Sequence, residues 1–298
     1  MNLQGRTVAV TGAASGIGAA LAEGAASRGA AAIAVIDIDA EGAKATAERI
    51  ARGGAKSAAF KCDIGDTEQG EWVATEVART LGIPGLVCAN AGVNTAASPL
   101  LDGNARDLQW ALSVNVVGTW ATLRAFGQLM VQSSEPGWLL VTASEHAIGV
   151  PFAGNGFYTL TKHAVLGLAD VLRRELPAHV GISAMVPGLA ATGLWRSGSL
   201  RPEELGGPEP ANDLARELLA RGMDPAIVAE RALDGVAEER FLIATHPHAK
   251  RYFDDRAADV AAAFDALARA EDEKSYDVEQ IVAEITAQHT NSTRRNAQ

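Results

Sequence analysis

The stretch that decides the fold is residues 6–18, RTVAVTGAASGIG. Its first six residues form a short apolar run rich in β-branched side chains, which reads as a buried parallel strand. The turn after it carries Gly12, Gly16 and Gly18, with Ser15 and Ile17 among them, and leads into AALAEGAASRG, a small-residue helix that Gly29 ends. Glycines let the backbone turn tightly and approach a pyrophosphate, whose charge the exposed N–H groups and the helix dipole stabilise. Strand, glycine turn and helix together make a nucleotide-binding crossover, with Gly12, Ser15, Gly16, Ile17 and Gly18 as the candidate contacts.

Working outward, the next strand (AAIAVID, 31–37) ends in Asp37, nineteen residues after Gly18. At that distance an acid caps the second strand and accepts hydrogen bonds from an adenosine ribose. Asp37 would also repel a 2′-phosphate, and Ile38 beside it offers no cation to receive one, which favours NAD over NADP. Asp39 is an alternative acceptor. A helix over 40–52 is stopped by Gly53 and Gly54. The strand AAFKCDI (58–64) brings Asp63 and Ile64 to the carboxyl edge of the sheet, where Asp63 either borders the nucleotide base or caps the helix expected at 67–81. GLVCANAG (85–92) is a fourth strand running into a glycine turn at Asn90, Ala91 and Gly92. A helix over 104–131, a strand at 138–143, a helix around Tyr158 and a strand at 181–186 continue the alternation. Such alternation indicates a doubly wound parallel sheet with ligands at the carboxyl ends of its strands.

The composition agrees. The 298 residues are 48% hydrophobic and 21% charged, ordinary for a globular chain with a full core. The net charge is −10, and no Lys/Arg cluster marks a predicted helix face, which argues against a nucleic-acid partner. No apolar run reaches the roughly 18 residues of a membrane span, and no charged-then-apolar leader precedes the first strand. The only cysteines, Cys62 and Cys88, belong about three strands apart, roughly 14 Å, too far for a disulfide. A reducing compartment, the cytoplasm, is expected.

A second stretch, SEHAIGVPFAGNGFYTLTK (144–162), carries the chemistry. Tyr158 and Lys162 are four residues apart and leave one face of a helix. A cation held there is expected to stabilise phenolate and lower the tyrosine's pKa from about 10, so that it can exchange a proton with a substrate oxygen.

With these pieces in place the chain resembles the short-chain dehydrogenase/reductase family. The resemblance rests on TGAASGIG (11–18), Asp37, Asp63, NAG (90–92), Asn115 in SVNVVG, Ser144, the YTLTK run of 158–162 and PGLAAT (187–192), in family order over residues 1–192, with weaker similarity to about 250. It implies a single Rossmann-type domain with a seven-stranded parallel sheet, and hydride transfer between a nicotinamide cofactor and a carbinol or carbonyl carbon. It further implies that Tyr158 is the general acid/base, that Lys162 tunes it and binds the nicotinamide ribose, and that Ser144 holds the substrate oxygen. Asn115, in a kinked helix, would anchor a water linking Lys162 to solvent. Pro187, Gly188 and Thr192 would meet the nicotinamide carboxamide, and Asn90 would lie under the cofactor. Family members are mostly dimers or tetramers, so a homodimer or homotetramer is expected.

Two departures stand out. Where relatives often have two serines this chain reads Thr142-Ala143-Ser144, fourteen residues before Tyr158, so Thr142 is the fallback hydroxyl. Glu145-His146 is unusual beside that serine; His146 either contacts substrate or is simply a surface or hydrogen-bonded residue, while His163 is assigned to packing. The Gly- and Pro-dense segment after Thr192 (193–225) reads as a substrate lid inside the domain. Its Leu194 and Trp195, with Phe152, Asn155 and Phe157 before the catalytic tyrosine, are the candidate substrate contacts and point to a bulky, largely apolar substrate; packing within the domain is the alternative. Helices are expected over 212–222 and 225–238, a last strand over 241–245, and a helical extension over 251–298 beyond a domain of 1–250. No metal-ligand spacing occurs, because His246 and His248 flank Pro247 without a nearby acid pair. The leading expectation is an NAD-dependent oxidoreductase of a secondary alcohol and its ketone. The rivals are an NADP-linked carbonyl reductase and a non-catalytic nucleotide sensor.

Overall fold

The computed structural model of the chain describes residues 1–210, 213–265, 267 and 276–295. Seven strands form one parallel sheet: β1 (Thr7–Thr11), β2 (Ala32–Asp37), β3 (Lys56–Lys61), β4 (Leu86–Ala89), β5 (Gly137–Thr142), β6 (Val180–Val186) and β7 (Leu242–Ala244). Their order across the sheet is β3-β2-β1-β4-β5-β6-β7. The chain winds outward to β3, then returns past β1 to β4, so the order reverses between β1 and β4. That is where a crevice opens at the carboxyl ends of the strands.

The period of two along each strand sorts the side chains to two faces. Val8, Val10, Ile33 and Val35 face one core, under α1 (Gly16–Ser27), α2 (Ala40–Arg52) and, added late in the chain, α8 (Pro225–Ala237). Ala9, Ala34, Ile36, Val87 and Val141 face the other, which takes Val73 and Val77 from α3 (Thr67–Leu81), Phe126 from α5 (Thr119–Ser133) and Val165 from α6 (Gly156–Glu175). Strand three lies two residues earlier than its apolar letters indicate, because Lys56 and Ser57 pair with Ala32 and Ile33 at the sheet edge.

The long helix expected at 104–131 is broken into α4 (Ala105–Leu112) and α5 by a π-helical segment, Ser113–Gly118. The widened turn is a recognised site of helix bending. The described part of the 193–225 segment is more ordered than its composition implies. It forms 3₁₀ turns at Gly193–Leu200 and Glu203–Leu205 and a short helix, α7 (Asp213–Leu219). Arg201 is buried there, paired with Asp107 of α4 at 2.7 Å and Glu209 at 2.5 Å, and it donates to the Leu205 carbonyl.

The chain divides into two compact units, Met1–Phe253 and Asp254–Gln298. The whole sheet and both cores lie in the first. Helix α9 (Lys250–Asp265) begins at the end of the first unit, and α10 (Val278–Arg295) lies in the second, running further than the 277–288 expected for it. Among the described residues no helix is long and apolar enough to cross a membrane, and no cluster of three or more His, Cys, Asp or Glu could hold a metal ion.

Candidate active site

The glycine turn is built by close contact. Gly12 has a positive φ of 66° and lies so near Ala91 that a Cβ would meet its Cα at 2.7 Å, and a Cβ on Gly18 would meet the Gly12 carbonyl at 2.0 Å. Asn90 ties three strands together at this point. Its amide donates to the carbonyl of Thr11, its backbone N–H to the Thr11 hydroxyl, and its Oδ1 accepts from the Thr142 hydroxyl at 3.0 Å. Thr142, the fallback hydroxyl, is thereby committed to Asn90.

The N-terminus of α1 carries no side-chain cap and no acid in its first turn, which leaves its N–H groups and dipole open to an anion. Asp37 sits at the tip of β2. Its carboxylate accepts from the N–H of Ala14 at 2.8 Å and of Asp39 at 2.9 Å, while burial raises its pKa. Asp39 instead caps α2 by accepting from Gly42 at 3.0 Å, so Asp37 alone of the two lines the cavity. Asp63 turns on itself to accept from Gly65, and Asp66 takes the capping role on α3.

These elements and the stretch from Ser144 to Lys162 surround one cavity of about 650 Å³. Gly12, Ser15, Gly16, Ile17 and Gly18 form one end, with Asp37 beyond them and Asp63 and Ile64 at the side. Asn90, Ala91 and Gly92 form the floor, and Pro187, Gly188 and Thr192 the opposite wall. Ser144, His146, Phe152, Asn155, Tyr158 and Lys162 close the far end, under Leu194 and Trp195. With an uncapped helix N-terminus and an acid on the β1–β2 side and titratable groups on the β5 and α6 side, the cavity fits a dinucleotide laid along the strand ends. Phe157 does not take part. It starts α6 on the face packed over Gly103, whose Cβ would meet its ring at 2.4 Å.

Asn115 is also behind the wall rather than in it. Fully buried in the π segment, it accepts from Val93 N–H at 2.8 Å and donates to the Val93 carbonyl at 2.9 Å and the Thr161 hydroxyl at 3.1 Å. It thus holds the turn after Gly92 against α6. A Cβ on Gly92 would stand 3.2 Å from the Asn115 oxygen and 3.5 Å from Lys162 Nζ, so all three groups converge there.

Tyr158 and Lys162 lie one turn apart on α6, with Nζ 5.4 Å from the phenol ring centroid, and Lys162 donates to the Thr142 carbonyl at 2.9 Å. The expected lowering of the tyrosine's pKa by the lysine is not found. Burial pushes the phenol up to about 12; the hydrogen bond with Ser144 opposes this and the nearby Glu145 charge adds to it. The same burial brings the Lys162 ammonium down to about 8. Dehydration outweighs the mutual effect of the pair. Ser144 accepts from the His146 N–H at 3.2 Å, and its hydroxyl faces Tyr158.

Three residues that the sequence did not mark help shape the site. His246, just past β7, accepts from Gly188 N–H at 3.0 Å through Nδ1 and donates to the Leu189 carbonyl at 3.0 Å through Nε2, pinning the turn after β6. His248 lies 2.8 Å from the buried Glu145 carboxylate, whose pKa burial raises. Ser197 accepts from Asn94 N–H at 3.1 Å and so joins the segment after Thr192 to the turn after Gly92. Only the placement of β7 beside β6 brings the two histidines here; no local spacing signals it. The buried thiols of Cys62 and Cys88, both free and pushed up to about 12, are inert.

Comparison with known proteins adds to this geometry. The family model for short chain dehydrogenases matches residues 6–202. Over 197 residues, 64% of this chain and 75% of the relative, the sequence is 34% identical to a 2,5-dichloro-2,5-cyclohexadiene-1,4-diol dehydrogenase of Sphingobium indicum. Over 266 residues, 87% of this chain and 92% of the other, it is 32% identical to a 1-deoxy-11-beta-hydroxypentalenate dehydrogenase of Streptomyces avermitilis. The crystal structure of a short chain dehydrogenase/reductase from Burkholderia phymatum in complex with NAD superposes with a TM-score of 0.82 at 28% identity, covering 88% of this chain and 96% of that one.

Proposed function

From the premise that the chain belongs to the short chain dehydrogenase family, and is thus an oxidoreductase acting on alcohols, we propose that it is an NAD-dependent dehydrogenase of a secondary alcohol, with Tyr158 as the proton-transfer group. The observation that carries this reading is the convergence of Ser144, Tyr158 and Lys162 at the end of a cavity whose other end holds an uncapped helix N-terminus and Asp37. Residues 12–18, Asp37, Asp63, Ile64 and the floor at 90–92 would hold the dinucleotide, with Pro187, Gly188 and Thr192 against its nicotinamide end.

Bound NAD supplies the hydride acceptor. The chain's own residues handle the oxygen. Ser144 donates to it and fixes its position, Tyr158 takes the hydroxyl proton as the carbinol C–H bond breaks and the carbonyl forms, and Lys162 steadies the negative charge left on phenolate. A phenol with a pKa of about 12 is a donor at neutral pH, so the free site is set to protonate an oxygen; oxidation requires that the loaded site favour phenolate more strongly. Leu194, Trp195 and Phe152 supply apolar walls for a bulky substrate, and relatives named for a cyclohexadienediol and a hydroxypentalenate support a cyclic alcohol. Asp37, with no cation at Ile38, supports NAD over NADP. A homodimer or homotetramer is the assembly this reading carries.

The test is a panel of cyclic secondary alcohols assayed for NADH and NADPH production. Catalytic efficiency is expected to be higher with NAD, and a preference for NADP overturns the ribose argument. Tyr158→Phe should keep NADH binding and lose at least about a hundredfold in turnover. Turnover close to wild type in that variant removes the tyrosine from the mechanism.

A further inference from the structure

His146 is buried, yet its ring lines the cavity, edge-to-face with Phe152 at 5.2 Å and with Tyr158 at 5.4 Å between centroids. Its Nδ1 lies 2.7 Å from the Thr159 hydroxyl. That hydroxyl is also 2.9 Å from the Asn155 carbonyl, one turn back on the helix, to which it donates. A hydroxyl has one proton. With it spent on Asn155, both contacts are satisfied only when His146 Nδ1 carries hydrogen and donates to Thr159, which leaves Nε2 as a lone pair. Nε2 has no hydrogen-bond partner among the described residues and is not among the side-chain atoms sealed from solvent. The ring's open edge therefore belongs to the cavity, beside the phenol that receives the reacting oxygen. Burial, with Lys162 and His163 nearby, brings the imidazole down to about 4, so the ring is neutral at working pH.

Resting on the reading of this site as an alcohol dehydrogenase, we infer that His146 is a specificity residue whose Nε2 accepts a hydrogen bond from a second hydroxyl of the substrate, so that the enzyme favours diols over simple alcohols. The Thr159–Asn155 relay holds the tautomer and ring orientation, and Phe152 packs edge-to-face against the ring. An acceptor requires a donor on the ligand, so an ether or a methylene at the same place gains nothing and leaves the nitrogen unpaired.

The experiment compares kcat/KM of the wild-type enzyme with NAD on the cis and trans forms of cyclohexane-1,2-diol and cyclohexane-1,4-diol, their mono-O-methyl ethers, and cyclohexanol. The best diol is expected to exceed both its ether and cyclohexanol by about tenfold or more. His146→Leu should bring diol and cyclohexanol to within about twofold, chiefly through KM for the diol, with NADH affinity unchanged. An ether that matches its diol, a wild-type enzyme that treats diol and cyclohexanol alike, or a Leu variant that keeps the diol preference overturns this inference and leaves the dehydrogenase reading standing. No NADH from any of these alcohols or from the wider cyclic panel overturns both.

Discussion

Lys162 shows what a buried ammonium costs the fold. An ammonium that is 4% exposed, with the Thr142 carbonyl at 2.9 Å as its hydrogen-bond acceptor, is held at a pKa of about 8 by dehydration, against 10.5 in water. Below pH 8 both folded and unfolded chains carry the proton, and folding must bury the charge. Between 8 and 10.5 the unfolded chain binds more protons than the folded one, so stability contributed by this residue rises with pH across that window. Tyr158 acts oppositely, but only above pH 10, where its raised pKa makes the folded chain the tighter proton binder. Replacing Lys162 with Met removes the buried charge and loses one hydrogen bond. The variant should therefore melt about 2–4 °C above wild type at pH 7 while losing activity, and the difference should vanish by about pH 10.5. Calorimetry of both proteins from pH 7 to 10.5 checks this; a variant less stable than wild type at pH 7 contradicts it.

At the scale of elements, one buried side chain ties the segment after Thr192 to α4. Arg201, 4% exposed, joins Asp107 on α4 to Glu209 and the Leu205 carbonyl across the turns between Leu200 and Glu209. Removing it leaves Asp107, itself only 19% exposed, without its cation. Arg201→Met should speed proteolytic cleavage between residues 196 and 210 at least about tenfold and raise KM for the alcohol, with NADH affinity nearly unchanged. Limited proteolysis with mapping of the cut sites decides it, and an unchanged cleavage rate would refute the latch. The strands, the glycine turn and the Tyr158–Lys162 pair were legible in the sequence because they follow local rules: a period of two, positive φ at Gly12, a spacing of four on a helix. What escaped depends on packing at a distance. The π segment's insertion is a backbone event without a letter of its own, Phe157 is turned away by Gly103 fifty-four residues earlier, and Glu145 finds His248 only because β7 joins β6. The phenol's raised pKa escaped for the same reason, since dehydration is a property of everything around a group and not of its partner four residues on.

For the whole molecule, the two-unit division carries the last prediction. Every strand, both cores and every candidate site residue fall within Met1–Phe253, a compact unit of ordinary domain size. In the second unit, Val260 and Phe264 of α9 and Ile281, Val282 and Ile285 of α10 are exposed, so no core of its own is built there among the described residues. Apolar side chains that bury little area contribute little to unfolding free energy. A chain ended after Phe253 should thus melt within about 3 °C of the full-length protein and bind NADH with the same affinity, because each group the dinucleotide and the alcohol would touch remains. Thermal unfolding of the two lengths, followed with and without NADH, tests this directly. A large drop in melting temperature on removing residues 254–298 would mean that this helical extension contributes to the stability of the dehydrogenase domain, and equal melting with lost NADH binding would mean that it takes part in holding the cofactor.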